Sequence, residues 1–276
     1  MKFTNEINKL IGLRNSLTEP PGLVPTMGYL HDGHLSLIRE ARKRHRMLVV
    51  SIFVNPHQFG PKEDYHNYPQ NLERDLDILK QENVDIVFAP APEEIYPEGF
   101  DTWVEVGDLT RRLEGFSRPG HFKGVATVVL KLFNIIRPGS AYFGQKDAQQ
   151  ALVIQKMVTD LNMGIDIHVL PTVRDSSGLA LSSRNVYLSV KEKNAAAILK
   201  KSLDLASERY QAGEIDASVI KDSMLELIQS EPLVKTDYIS IASPQTLHEL
   251  ETISGPALVS LAAWIGKTRL IDNILI

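Results

Sequence analysis

A chain of 276 residues with 43% apolar and 23% charged residues can build one large domain, or a large and a small one, around a buried core. A net charge of −4 gives no global basic field for nucleic acid, and the lack of cysteine excludes disulfides, thiolate metal sites and any thioester route. The first residues alternate polar and apolar without a secretion signal's apolar core. The longest apolar segment, 125–136, is broken by Thr127, Lys131 and Asn134, short of the roughly 20 apolar residues of a membrane span. A cytoplasmic chain with neither a membrane nor a nucleic-acid partner is expected.

Residues 23–27 read as a strand, followed by a helix over 34–46 with Leu35, Ile38 and Ala41 on one face. The β-branched run 47–54 reads as a buried strand. Residues 71–82 read as a helix with Leu72, Leu76 and Leu79 facing inward, and 85–88 as a short strand. A helix over 122–136 stops at the breaker cluster Arg137-Pro138-Gly139. Strand 141–143, helix 148–161 and strand 165–173 follow. This alternation predicts an α/β fold, a parallel sheet with helices on both faces. Near Leu188 the pattern changes to two long amphipathic helices, 191–210 and 215–229. Strands then follow at 238–242, 257–265 and 269–274, with a hairpin turn at Gly266-Lys267. The expected domains are therefore 1–185 and a smaller α+β domain, 186–276.

The strongest chemical signal is PTMGYLHDGHLSLI, residues 25–38, with His31-Asp32-Gly33-His34 between a strand and a helix. A helix N-terminus presents unpaired N–H groups and partial positive charge, which attract phosphate. Gly28 and Gly33 allow close backbone approach, and two imidazoles three residues apart can both donate to phosphate oxygens. At Asn55-Pro56-His57-Gln58-Phe59 a strand ends at proline, which puts Gln58 at the carboxyl edge of the sheet, where ligands of open α/β folds bind. In Gly144-Gln145-Lys146-Asp147, Lys146 offers a compact charge for phosphate, and Asp147 can bond ribose hydroxyls or merely cap the next helix. Gln150 lies one turn on, along the same face; Gln149 points elsewhere. Leu181-Ser182-Ser183-Arg184 can wrap phosphates with two hydroxyls and a guanidinium, or be a helix cap beside a surface arginine. The basic run Arg42-Lys43-Arg44-His45-Arg46 ends a helix, where cations complement the dipole. His57, His66, His168 and His248 show no paired metal-ligand spacing.

HxGH after a first strand resembles the signature of the nucleotidyltransferase superfamily that includes class I aminoacyl-tRNA synthetases, and MGYLHDGH resembles the pantothenate synthetase family in particular. SIFVNPHQFGPKEDYHNYP (51–69), RPGHFKGVATVVLKLFNIIRP (118–138), FGQKDAQQ (143–150), VRDSSGLALSSRNVYL (173–188) and TRLIDN near the end agree with that family in order. The resemblance implies a Rossmann-like domain and a smaller one able to close over the site. It also implies ATP-dependent joining of pantoate to β-alanine through a pantoyl-adenylate, with Mg²⁺ on the phosphates and a homodimeric assembly. His31, His34, Lys146 and Arg184 become the catalytic candidates. ATP would further meet Met27, Gly28, Tyr29, Leu30, Asp32, Gly33, Gly144, Gln145, Asp147, Val173, Leu181, Ser182 and Ser183. Gln58 and Gln150 would hold pantoate, with β-alanine near Gln58. Segment 116–122 would form a wall near the site, with direct contact from Arg118 or His121 a weaker expectation. Asp75 could hold Mg²⁺ through water, although a solvated helix face explains it as well. Two rivals stay open on the residues alone. They are another adenylyltransferase or amino-acid-activating enzyme sharing HxGH, and a non-catalytic nucleotide-binding module.

Overall fold

The computed structural model describes residues 1–61 and 63–276; Lys62, within the family-like segment 51–69, lies outside the described residues. The chain forms two compact units. One comprises Met1–Gly144 and Gln149–Pro171, the other Gln145–Ala148 and Thr172–Ile276.

In the first unit the elements run β1 (Lys2–Thr4), α1 (Ile7–Asn15), β2 (Gly22–Thr26), α2 (Asp32–Arg44), β3 (Leu48–Ile52), α3 (Leu72–Gln81) and β4 (Ile86–Phe88). The short helices α4 (Pro92–Ile95) and α5 (Glu114–Ser117) precede α6 (His121–Ile136) and β5 (Ser140–Gly144). Helix α7 (Ala148–Asp160) and β6 (Asp166–Leu170) close the series. The strands form one sheet in the order β1-β4-β3-β2-β5-β6, and every pairing is parallel. Successive strand side chains leave opposite faces, and the two cores follow that alternation. Leu23, Val49, Phe88, Ala141 and Phe143 pack with Leu10 of α1, α6 and α7. Val24, Val50, Val87 and Tyr142 pack with Ile38 and Ala41 of α2 and Leu79 of α3. The doubly covered α/β sheet expected from the alternation is present. The order reverses between β2 and β5, and such a switch point opens a crevice at the strands' carboxyl ends.

Two local expectations need correction, and the N-terminal stretch, to which the sequence reading gave no element, forms two. The polar and apolar alternation at the N-terminus belongs to β1, an edge strand on β4, and to α1; both are too short or too weakly patterned to stand out. On α3 the buried face is rotated. Leu72 is 40% exposed, whereas Asp75 is 1% exposed. The strand expected at 165–173 ends at Leu170. The basic run on α2 sits among acids, with Arg42 on Asp85 at 2.6 Å and Lys43 and Arg44 on Glu40 at 3.1 and 2.9 Å.

The second unit holds α8 (Val190–Gln211), α9 (Ala217–Gln229) and an antiparallel sheet β7 (Val234–Ala242), β8 (Leu258–Ile265), β9 (Thr268–Leu275). Leu199, Leu203, Ile220, Met224, Val259 and Leu261 lie in its core. Gly266-Lys267 joins β8 to β9 directly. This unit takes in the chain from Thr172 rather than from 186. The reason is visible in its bonds: Arg174 bridges to Ala180 and pairs with Asp272 of β9. Among the described residues no helix is long and apolar enough to cross a membrane.

Candidate active site

The first unit's site grows from the end of β2. Thr26 Oγ1 donates to the Ser51 carbonyl at 2.9 Å and accepts from Gly28 N–H at 3.1 Å, turning the chain at the carboxyl edge of the sheet. Gly28 has φ +84°, and a Cβ there would stand 3.0 Å from Ile52 and 3.1 Å from the Asp75 carboxylate, so only glycine fits without strain. Tyr29 follows at φ +52°, a conformation unusual for a side-chain-bearing residue. Asp75 stabilises it. Its oxygens accept from the Tyr29 and Leu30 amides at 2.6 and 2.9 Å. Arg74 lies 3.3 Å from the same carboxylate, donates to the Leu30 carbonyl at 2.9 Å and covers the Tyr29 ring. Burial pushes the Asp75 carboxyl above its ordinary range, partly offset by the two amides and Arg74.

Helix α2 then starts with a reciprocal cap made of imidazoles. His31 Nδ1 accepts from Gly33 N–H at 3.1 Å, and His34 Nδ1 accepts from His31 N–H at 3.3 Å. The two rings lie 4.1 Å apart. Because Nδ1 accepts in both, each neutral ring carries its proton on Nε2. The cap therefore selects the tautomer in which both histidines are Nε2–H donors.

Gln58 is 9% exposed, in a 3-10 turn Pro56–Gln58. Its Nε2 donates to Met27 Sδ at 2.8 Å, and its Oε1 accepts from Asn55 at 3.2 Å. Its carbonyl accepts from His121 Nδ1 at 2.7 Å and from Arg118 at 3.3 Å. Arg118 also forks onto Glu63 at 2.7 and 2.9 Å. Burial, then Arg118, hold the His121 imidazole down at about 4. The stability this neutral ring contributes is complete above the unfolded value of 6.5 and is lost as pH falls towards about 4. Thus Arg118 and His121 grip the backbone of Gln58 from the start of α6. Gly124 lets the helix approach, since a Cβ there would run into the His57 carbonyl.

Sequence reasoning missed the work of Gln149. It is 6% exposed; its amide donates to the carbonyls of Leu109 and Arg112 at 2.7 and 2.8 Å and accepts from Glu114 N–H at 3.0 Å, holding the 109–114 loop. Gln150, the next residue, is half-buried.

In the second unit, Lys146 reaches Asp147 at 3.3 Å in the 3-10 turn Gln145–Asp147. The Val173 carbonyl accepts from Leu181 N–H at 2.9 Å. Ser182 caps the turn Ser183–Tyr187 through Arg184 N–H at 3.3 Å, and Ser183 is 6% exposed.

The residues present do not fit a metal ion held by the protein. Among the described residues no three His, Asp or Glu side chains converge as ligands, and the Asp75 oxygens serve two backbone amides. Asp75→Ala is accordingly expected to strip the buried Leu30 and half-buried Tyr29 amides of their carboxylate acceptor and to cost about 1–3 kcal/mol, read as a lower urea midpoint. A variant of wild-type stability would return Asp75 to a ligand role.

Comparison with known proteins gives the chain its family. The Pantoate-beta-alanine ligase family model matches residues 2–275. A pantothenate synthetase of Pelotomaculum thermopropionicum is 54% identical over 98% of this chain and 95% of its own length. The pantothenate synthetase structure from Thermus thermophilus superimposes with a TM-score of 0.95, at 46% identity over 99% of both chains. A pantoate-beta-alanine ligase from Francisella tularensis, solved with beta-gamma ATP and beta-alanine, gives 0.82 at 37% identity over 100% of this chain and 97% of that one. A model matched almost end to end, relatives identical at every second position and the same fold together place this chain in the pantoate–β-alanine ligase family.

Proposed function

We propose that this chain condenses pantoate with β-alanine to pantothenate in two steps at the expense of ATP. The pantoate carboxylate attacks the α-phosphorus, and pyrophosphate leaves. The amine of β-alanine then attacks the pantoyl-adenylate carbonyl, releasing AMP and forming the amide. The observation that carries this reading is the imidazole cap at the carboxyl end of β2. It puts two imidazoles, each in the Nε2–H tautomer, at a helix N-terminus, a place suited to phosphate.

Charge develops mainly on the phosphates, so positioning and electrostatic stabilisation carry the first step. His31 and His34 are read as donors to the phosphates, a role that requires no proton transfer to the leaving pyrophosphate. Lys146, Ser182, Ser183 and Arg184 are read as further phosphate ligands, and Val173 as a backbone partner for adenine, on the family resemblance. Gln58 and Gln150 are assigned to pantoate. Mg²⁺ is assigned to the ATP phosphates as part of the substrate, and a homodimer in the cytoplasm is the proposed working form.

Pyrophosphate exchange into ATP is expected to require pantoate and to proceed without β-alanine. Exchange that needs β-alanine, or formation of ADP, would rule out the adenylate.

A further inference from the structure

The family-like segment TRLIDN, residues 268–273, lies on β9, and its last two residues are buried polar groups with unusual partners. Asn273 is 4% exposed. Its Nδ2 donates to the carbonyls of both Gln145 and Lys146 at 2.9 Å, and its Oδ1 accepts from Gln145 Nε2 at 3.0 Å. Backbone carbonyls only accept, so this amide has one allowed orientation. The turn it holds is a three-residue 3-10 segment, a conformation with poor internal hydrogen bonds and little rigidity of its own. Asp272, the preceding residue, takes Arg174 at 2.5 and 2.9 Å and accepts from Asn273 N–H at 2.8 Å, which fixes the strand from which the amide projects.

We propose that Asn273 is a positioning residue for adenylation: by binding the carbonyls on either side of the Lys146 Cα it fixes where the Lys146 ammonium meets the phosphates. It touches none of the substrates and acts only through the turn. The inference rests on the phosphate role of Lys146 given above.

A double-mutant cycle tests it, using Asn273→Asp, Asn273→Ala, Lys146→Ala and the two double variants. Aspartate would turn an oxygen on both carbonyls, so it should do more harm than alanine. Misplacing a reacting group by about 1 Å costs on the order of a hundredfold, so Asn273→Asp should lower the adenylation kcat by about ten- to a hundredfold. The KM for pantoate should change by less than about threefold, the split expected for a group that does not touch that substrate. In the Lys146→Ala background the same substitution should slow adenylation by less than about threefold, because its route is already gone. Losses that multiply in the double variants, or a wild-type kcat in both Asn273 single variants, overturn the proposal. Should Asn273→Asp melt early, the Asn273→Ala cycle decides by the same criteria. ATP titration without pantoate is run on the same set. If the wild-type protein shows no pantoate-dependent exchange, the proposed function falls, and non-additivity in ATP affinity still decides the role of Asn273.

Discussion

Replacing His34 with asparagine is expected to slow pantoyl-adenylate formation by at least about a hundredfold, the scale for losing one electrostatic stabiliser, while leaving the melting temperature unchanged. The choice of residue follows from the cap. His34 accepts from His31 N–H through Nδ1, and an asparagine oxygen falls at the same place along the side chain. Nothing in asparagine reaches the position of Nε2. The substitution thus keeps the cap at the start of helix α2 and removes the Nε2–H donor. Single-turnover adenylation with pantoate and ATP measures the loss, and thermal melting checks the helix. A rate within about tenfold of wild type would show that Nε2 does not meet the phosphates. A large drop in melting temperature would show that the cap cannot be served by an amide.

Arg174→Ala should be the most damaging single change to the second unit, at about 3–5 kcal/mol, because it strands a buried carboxylate. Asp272 has a side chain 2% exposed and is held bidentately by Arg174, whose guanidinium also donates to the Gly178 carbonyl at 3.1 Å. The pair ties the loop after Thr172 to β9. Adding Asp272→Asn should restore part of the loss, since the asparagine oxygen can still accept from Asn273 N–H and no charge remains buried. Urea unfolding of the wild type, both single variants and the double variant gives the coupling. Strictly additive losses would mean that the pair contributes nothing beyond its separate contacts.

Much of the fold was legible because strands and helices alternate with clear punctuation. The β-branched run 47–54 contains β3, which is one residue shorter at its start and two at its end, and the Arg137-Pro138-Gly139 stop marks the end of α6 to the residue. What failed was local. A three-residue strand such as β1 carries no period to detect. On helix α3 apolar spacing favours Leu72 as an inward residue, whereas the buried face is set by the demand of two backbone amides for Asp75. The histidine pair, Gln58 and the Lys146 turn stood out because they sit at strand ends. The amides that hold other parts of the backbone did not. Gln149 and Asn273 are ordinary amides in sequence, and each acquires meaning only through carbonyls brought to it by tertiary structure.

The order of the central sheet also bears on how the chain reaches this state. Beside the central β3–β2 pair of the sheet lies the β2–β5 pair, joining Gly22 and Leu23 to Ser140 and Ala141. Its edge, β1, waits for β4. Closing such distant parallel pairings costs loop entropy before any contact compensates it, which makes them slow to form. The second unit's sheet is instead a meander of neighbours, β7 on β8 on β9. During synthesis the first unit must hold a half-built sheet, with β2 bare on one side, until residues beyond 140 emerge. Folding from denaturant is therefore expected to be limited by the six-stranded parallel sheet, and the exposed flank of β2 is the surface most in need of protection while the chain is made.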